Sequence, residues 1–342
     1  MKSRITRFRP ISMAHPQKGV RKLMDIILHV GSHRTSSTSF QHYLRCNRAA
    51  LLADDTVVWD PQTLRKGMFS GLFAKPRMIN GRELQRRAAG RVRMHAEQVR
   101  RAGAKRLIVS EENMIGAPRD CLQSQTLYPA IGERMARLSA AFDGQVSRVV
   151  MMIRAQDLWW SSVAAYGVGR GHALPDAARC AALSASPRCW RDVITDLACA
   201  LPGAKIKVLP FEQFAGQADL VLSAATGDRA PHAHAKTWLN RSPDVPALRS
   251  KLADQGIDAA ALPAHLQTDA GRWNPFTPAQ AAALREAYAD DMMWLTAGAD
   301  GLATLTEDQT RAKAGVNLPA GAIAKGHSHD QQTDLRQQGR MA

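Results

Sequence analysis

The sequence predicts an α/β protein: a parallel central sheet flanked by helices on both faces, with a helical C-terminal part. Three observations lead there. Apolar runs of strand length recur through the first two thirds of the chain. Longer segments of mixed polarity separate them, the arrangement expected when parallel strands are joined by helical crossovers. Two of the runs end in residues suited to grip an anion, at the carboxyl ends of strands, where such sheets bind ligands.

The first run, 25–30, carries Ile26, Ile27, Leu28 and Val30 and stops at Gly31; a hydroxyl-rich stretch then opens a helix expected over 37–52. Further strands are expected at 56–59, 106–110, 148–153 and 205–210. Helical patterns fill the gaps at 82–102, 125–142 and 157–168, with another at 189–200. Gly90 lies inside the first of these and costs it about 1 kcal/mol relative to alanine. Beyond Gly216 the pattern is less regular. A last helix opens at Phe276, Thr277 and Pro278, and Leu284, Tyr288, Asp291, Trp294 and Leu295 continue it at helical spacing. The basic stretch 1–23 reads as a disordered arm, 24–300 as one domain, and the polar 301–342 as a disordered tail. His327 and His329 belong to that tail and read as tail residues rather than metal ligands.

Composition narrows the function. A chain of 342 residues with 45% apolar content can bury a sizeable core. No apolar run approaches the roughly twenty residues that cross a bilayer, and the basic N-terminus lacks the apolar centre of a secretory signal. Five cysteines without metal-type spacing fit a reducing compartment, so a cytoplasmic location is expected. The formal net charge is +16, and much of it falls in 82–106, where nine arginines and lysines face only Glu83 and Glu97. Such a surface steers anions. Its plainest reading is a solvated arginine-rich helix. A nucleic-acid partner is disfavoured, because aromatics are scarce there and no recognition motif is present.

The chemistry concentrates after the first strand. Gly31, Arg34, Thr35, Ser36, Ser37, Thr38 and Ser39 lie at a strand–turn–helix junction. Free backbone N–H groups and the helix dipole attract a phosphate or sulfate at such a place, and Arg34 adds a fixed charge. A nucleotide-triphosphate loop would read G-x-x-x-x-G-K-[ST]. Counted from Gly31, the second glycine falls on Ser36, the lysine on Ser37 and the hydroxyl on Thr38. The missing glycine and lysine disfavour an ATPase or a P-loop kinase.

The segment resembles instead the 5′-phosphosulfate loop of PAPS-dependent sulfotransferases, written H-x-G-x-x-K-T-G-T-T-S-x-Q in bacterial members. His29, Gly31, Thr35, Thr38, Ser39 and Gln41 match it in place. Arg34 replaces the lysine, Ser36 the glycine and Ser37 the first threonine of the pair. A serine at position 36 would cost roughly 1–2 kcal/mol if its backbone is left-handed. A second segment is similar to the family as well. Arg154 closes the run 148–153, and Ser162 follows eight positions later with Asp157 between them. In the family this pair holds the 3′-phosphate of PAPS. By residues alone, Arg154 could equally be a strand-end cation and Ser162 a helix-surface serine. Residues 236–242 are similar to an asparagine–serine element found late in bacterial members.

The resemblance covers most of 25–295 and implies a P-loop-like sulfotransferase fold, with PAPS as co-substrate and sulfuryl transfer to a hydroxyl or amine. It places Gly31, Arg34, Thr35, Ser36, Ser37, Thr38, Ser39, Arg154 and Ser162 on the nucleotide, with Arg34 also stabilising the leaving group. The base is expected at Glu112, with Glu111 as the close alternative, just past the strand 106–110. The same two carboxylates could instead cap the next helix. His29 and His33 are lesser candidates. Acceptor determinants are expected in 60–80, 113–125 and 167–188, and a saccharide, lipid, small metabolite or peptide all remain open. The alternatives are a P-loop phosphotransferase, or a polyanion- or nucleic-acid-binding protein using 82–106.

Overall fold

A computed structural model describes residues 24–74, 78–258, 266–267 and 271–308. The chain divides into a unit ending at Thr306 and a second from Glu307, of which only Glu307 and Asp308 are among the described residues. The expected arm, most of the expected tail, and His327 and His329 lie outside them.

Among the described residues, six parallel strands form one sheet in the order β2-β3-β1-β4-β5-β6. They are β1 (Asp25–Gly31), β2 (Thr56–Trp59), β3 (Arg106–Ser110), β4 (Val146–Ile153), β5 (Lys205–Pro210) and β6 (Thr304–Leu305). Side chains alternate along each strand. Ile26, Leu28, Leu107, Val109, Val149, Met151 and Val208 enter one core, whereas Ile27, Val58, Ile108, Val150, Met152 and Leu209 enter the other.

The helices fall on both faces. Between β1 and β2 run α1 (Ser37–Cys46) and α2 (Arg48–Ala53), which supply Phe40, Tyr43, Leu44 and Leu51 to the second core. A short α3 (Pro61–Thr63), a π turn (Leu64–Met68) and the long α4 (Gly81–Arg101) lead to β3, and α4 buries Ala88 and Val92 in the first core. A 3₁₀ turn (Glu112–Ile115), α5 (Pro118–Ser124) and α6 (Ile131–Ala141) lead on to β4. Then come α7 (Gln156–Val168), α8 (Ala177–Ser184) and α9 (Trp190–Ala200), followed after β5 by α10 (Phe211–Phe214), α11 (Ala218–Thr226), α12 (Val245–Ala253) and α13 (Pro278–Thr296). The last begins at a reciprocal cap: Gln280 N–H donates to Thr277 Oγ1 at 3.3 Å, and Thr277 N–H donates to Gln280 Oε1 at 3.0 Å.

This order positions a site. The helix after β1 packs on one face, while the elements after its neighbours β3 and β4 pack on the other. The chain therefore diverges around the carboxyl end of β1, which is where open α/β sheets bind ligands.

The expected fold class holds, with several differences in detail. The helix expected over 37–52 breaks at Asn47, whose side-chain amide donates to Tyr43 O at 3.0 Å and Ala233 O at 2.9 Å. The helix expected over 125–142 starts late, because Gln125 and Tyr128 are left-handed, at φ 55° and 40°. The sheet extends past the expected domain end at 300, because β6 pairs with β5 through Lys207–Thr304 and Val208–Leu305. A two-residue edge strand has no periodicity to read. In α4, Glu83 pairs with Arg86 and Arg87, and Glu97 with Arg100 and Arg101, so part of the basic face is internally compensated. No helix among the described residues is long and apolar enough to cross a membrane.

Candidate functional site

The turn after β1 is held by its own backbone at almost every residue. Gly31 has φ 88°, and a Cβ there would lie 3.1 Å from the Glu112 Cβ and 3.3 Å from the His33 nitrogen, so only glycine fits. Ser32 N–H donates to Met152 O on β4 at 2.8 Å. Ser32 O accepts the hydroxyls of Thr35 at 2.7 Å and Ser37 at 3.1 Å. His33 N–H donates to the Tyr128 hydroxyl at 2.9 Å, and His33 O accepts the Trp159 indole N–H at 2.8 Å. Arg34 and Ser36 are both left-handed, with φ 62° and 67°. The condition attached to the serine at position 36 is thus met, and its buried Oγ has no hydrogen-bond partner among the described residues.

Three hydroxyls of the loop are spent inside the protein. Thr35 and Ser37 close the turn on Ser32 O, and Ser39 Oγ accepts the Leu239 N–H at 2.8 Å. What the loop keeps for a ligand is backbone: the N–H groups of Ser37, Thr38 and Ser39 head α1 and have no intrahelical acceptor. Thr38 is half-buried beside them.

Arg154 and Ser162 join this loop rather than standing apart from it. One Arg154 terminal nitrogen donates to Arg34 O at 3.1 Å, and its guanidinium covers the Phe211 ring at 4.5 Å. Arg34 Nε donates to Ser162 Oγ at 3.0 Å, and its terminal nitrogen donates to Ser242 Oγ at 3.2 Å. The Arg34 guanidinium also lies 4.8 Å from the Tyr166 ring centre. The two expected half-sites are one hydrogen-bonded cluster, and the Arg34 side chain belongs to its Ser162 end.

The electrostatics suit an anion. Arg154 is 3% exposed, and its buried Nε has no hydrogen-bond partner among the described residues. Burial pushes its pKa down to about 10, and the neighbouring charges of Arg272 and Arg34 add to that shift, while Glu212 opposes it. It stays cationic at neutral pH. Arg34 is likewise lowered, chiefly by burial, with Arg170 contributing. Concentrating guanidinium groups in a desolvated place is unfavourable by itself and is relieved by an anion. Two tryptophans fix the frame: Trp159 holds His33 O, and the Trp190 indole N–H donates to Arg154 O at 2.8 Å. Sequence reading missed Tyr166, Phe211 and Arg272 as members, since folding alone brings them together.

The two carboxylates have different fates. Glu111, 3% exposed, receives both Arg65 Nε at 2.8 Å and a terminal Arg65 nitrogen at 2.7 Å. It also accepts Asn113 N–H at 3.1 Å and the Asn113 side-chain amide at 2.8 Å, so it caps the 3₁₀ turn. Glu112 points back to the loop. Its Oε2 accepts the Gln41 amide at 2.6 Å, and its Oε1 lies 3.3 Å from Arg65, with 17% of the side chain exposed. Of the pair, Glu112 keeps access to an incoming group.

The histidines are occupied. The Asn113 amide must donate to Glu111, which turns its oxygen to His33 Nε2 at 3.2 Å and puts the proton on that nitrogen. His33 Nδ1 then accepts the Tyr128 hydroxyl at 3.0 Å, leaving neither nitrogen free. Burial pushes its pKa down to about 4. His29, bonded through Nδ1 to Ser110 Oγ at 2.8 Å and packed on Phe40, is pushed to about 3 by burial.

Neither a family model nor a curated protein matches the chain.

Proposed function

We propose that the protein transfers a sulfuryl group from PAPS to a hydroxyl or amine of an acceptor. The observation that carries this is the joined anion cluster: the buried, partly unpartnered Arg154, with Ser162, Arg34 and Ser242, beside the open N-terminus of α1. It offers two neighbouring places for negative charge, as a nucleotide with a 3′-phosphate and a 5′-phosphosulfate requires. The α1 amides and Thr38 would take the phosphosulfate, and Arg154, Ser162, Arg34 and Ser242 the 3′-phosphate. Glu111 anchors the turn through Arg65, and Glu112 serves as base.

In this reading the acceptor oxygen or nitrogen attacks sulfur in line, and the bond from sulfur to the bridging phosphate oxygen breaks. PAP leaves with the electron pair, and the acceptor proton passes to the Glu112 carboxylate. By analogy with phosphoryl transfer the transition state is loose, so catalysis is mainly positioning and electrostatics. Charge grows on the bridging oxygen, next to the preorganised amides of the loop.

Calorimetric titration with PAP tests the reading. Binding without magnesium is expected, and Arg154→Ala should weaken it at least tenfold, with Ser162→Ala milder, since the charge-assisted contact is the stronger one. Unchanged affinity in a folded Arg154→Ala protein would mean that the cluster does not hold the nucleotide. Tight magnesium-dependent ATP binding would favour a phosphotransferase. Strong salt-dependent binding to any polyanion would favour a non-catalytic binding protein.

A further inference from the structure

The start of α4 carries an apolar tip beside a basic face. Met78–Gly81 is a tight turn, closed by Gly81 N–H donating to Met78 O at 2.9 Å, with Asn80 left-handed at φ 59°. Turn tips in water favour small or polar residues. This one presents Ile79 with 91% of its surface exposed and Met78 more than half exposed, and Leu84 is also exposed one turn into the helix. Ile79 and Leu84 flank the N-cap at the positions where an apolar pair commonly packs together. With Ile79 so exposed, that pairing is open.

The tip is braced by the segment beneath it. Gly71, at φ 83°, lies so close to α4 that a Cβ there would be 3.1 Å from both Leu84 Cβ and Leu84 O. The Gln85 amide donates to Ala74 O, and Arg91 donates to Ser70 O. The apolar side chains therefore project from a fixed turn.

The helix behind the tip is basic. α4 holds seven arginines against two glutamates, a net charge of +5. Arg82, Arg86 and Arg87 follow the tip within about 7–8 Å of helix axis. Arg86 and Arg87 both touch Glu83, yet both stay largely exposed. Ion pairs so exposed are weak, which leaves the guanidinium groups available to an outside anion. As the crossover helix between parallel β2 and β3, α4 starts at the carboxyl ends of the strands, the side on which the candidate site lies.

We infer that this tip and the arginines behind it dock the protein on an anionic lipid surface. Met78 and Ile79 enter the boundary between headgroups and acyl chains, and Arg82, Arg86 and Arg87 meet the headgroup phosphates. A nucleic acid would use the charge but leave the aliphatic tip in water, and 78–101 holds no Phe, Trp or Tyr on which a base could stack. None of these residues belongs to the anion cluster, so the docking is independent of sulfuryl transfer.

Sedimentation of the full chain with sucrose-loaded vesicles tests it, with phosphatidylcholine alone and with an equal mixture of phosphatidylcholine and phosphatidylglycerol. Wild-type protein should bind the anionic vesicles at least about tenfold more tightly than the neutral ones. The double substitution Met78→Ser and Ile79→Ser removes the tip and keeps the charge; it should weaken that binding by roughly fivefold or more. Replacing Arg82, Arg86 and Arg87 by glutamine should weaken it by roughly twentyfold or more. Ile79→Trp should tighten it, because tryptophan favours the bilayer interface, with a blue shift of fluorescence on vesicles that wild type does not show. All five positions are exposed, so urea midpoints should match wild type. Wild-type protein that binds neither vesicle would overturn the proposal. Equal binding to anionic vesicles by wild type, the serine variant and Ile79→Trp would overturn it as well, since another basic surface would then suffice. Heparin binding that is the same in wild type and the serine variant, with no vesicle binding by either, would assign the surface to a polyanion instead.

Discussion

Replacing Ser36 by glycine should make the protein more stable, although the position lies in the middle of the candidate site. Ser36 is left-handed at φ 67° and ψ 16°, as the N-cap of α1, and its side chain makes no capping bond. A non-glycine residue in that region costs roughly 1–2 kcal/mol. Its buried hydroxyl lacks a partner among the described residues, which adds about 1 kcal/mol or more. Against these gains, glycine gives the unfolded chain extra freedom, at about 0.5–1 kcal/mol. The balance is a stabilisation of about 1–2 kcal/mol, equivalent to a rise in melting temperature of roughly 2–8 °C. Urea unfolding followed by tryptophan fluorescence would measure it, with an unchanged m-value as the condition for comparison. PAP affinity should change by less than about threefold, because in the proposed site the amides that would face the nucleotide are backbone groups. A Ser36→Gly protein that is less stable than wild type would overturn this expectation. It would mean that the hydroxyl makes a contact worth more than the strain and the desolvation together.

Two further outcomes follow from the carboxylates and the buried rings. Glu112→Gln should cut turnover by about 10²–10⁴-fold and leave PAP binding unchanged, because a general base acts only on the acceptor proton. Single-turnover transfer from radiolabelled PAPS measures it, and an unaltered rate would eliminate Glu112 as base. His29 and His33 are held near pKa 3 and 4 in the folded protein, against 6.5 when free. The unfolded chain therefore binds more protons between pH 6.5 and 4, so stability is complete above that window and falls as pH drops through it. At pH 5 each histidine should cost about 2 kcal/mol relative to pH 7; equal unfolding midpoints at the two pH values would contradict their burial as neutral rings.

How far the sequence foretold the fold depended on whether a local pattern existed to be read. Thr56–Trp59, Arg106–Ser110 and Lys205–Pro210 are apolar runs with breaks at both ends, and they emerge as strands with those same bounds. Helices α8, α11 and α12 went unread, because they are short and take their stability from the cores they cover. At the candidate site, Gly31, Arg34, Arg154 and Ser162 were each legible one at a time, from strand ends, helix starts and spacing. Their relation was not. The expectation gave Arg34 to the leaving group and Ser162 to a separate phosphate, yet the left-handed turn at Arg34 swings its guanidinium onto Ser162 and Ser242.

The same turn sets what the arginine at position 34 does in the cluster. A lysine in this place would present one compact charge. The arginine fork reaches two hydroxyls from different elements, α7 and the stretch after α11, and draws them to one point. Ser39 ties Leu239 down at the head of α1, so the segment that carries Ser242 is fixed to the loop at a second place. Substituting residue 34 therefore alters how the late segment closes on the loop as well as the local charge. For that reason Arg154, whose guanidinium bonds only the Arg34 carbonyl among these groups, is the cleaner probe of anion binding.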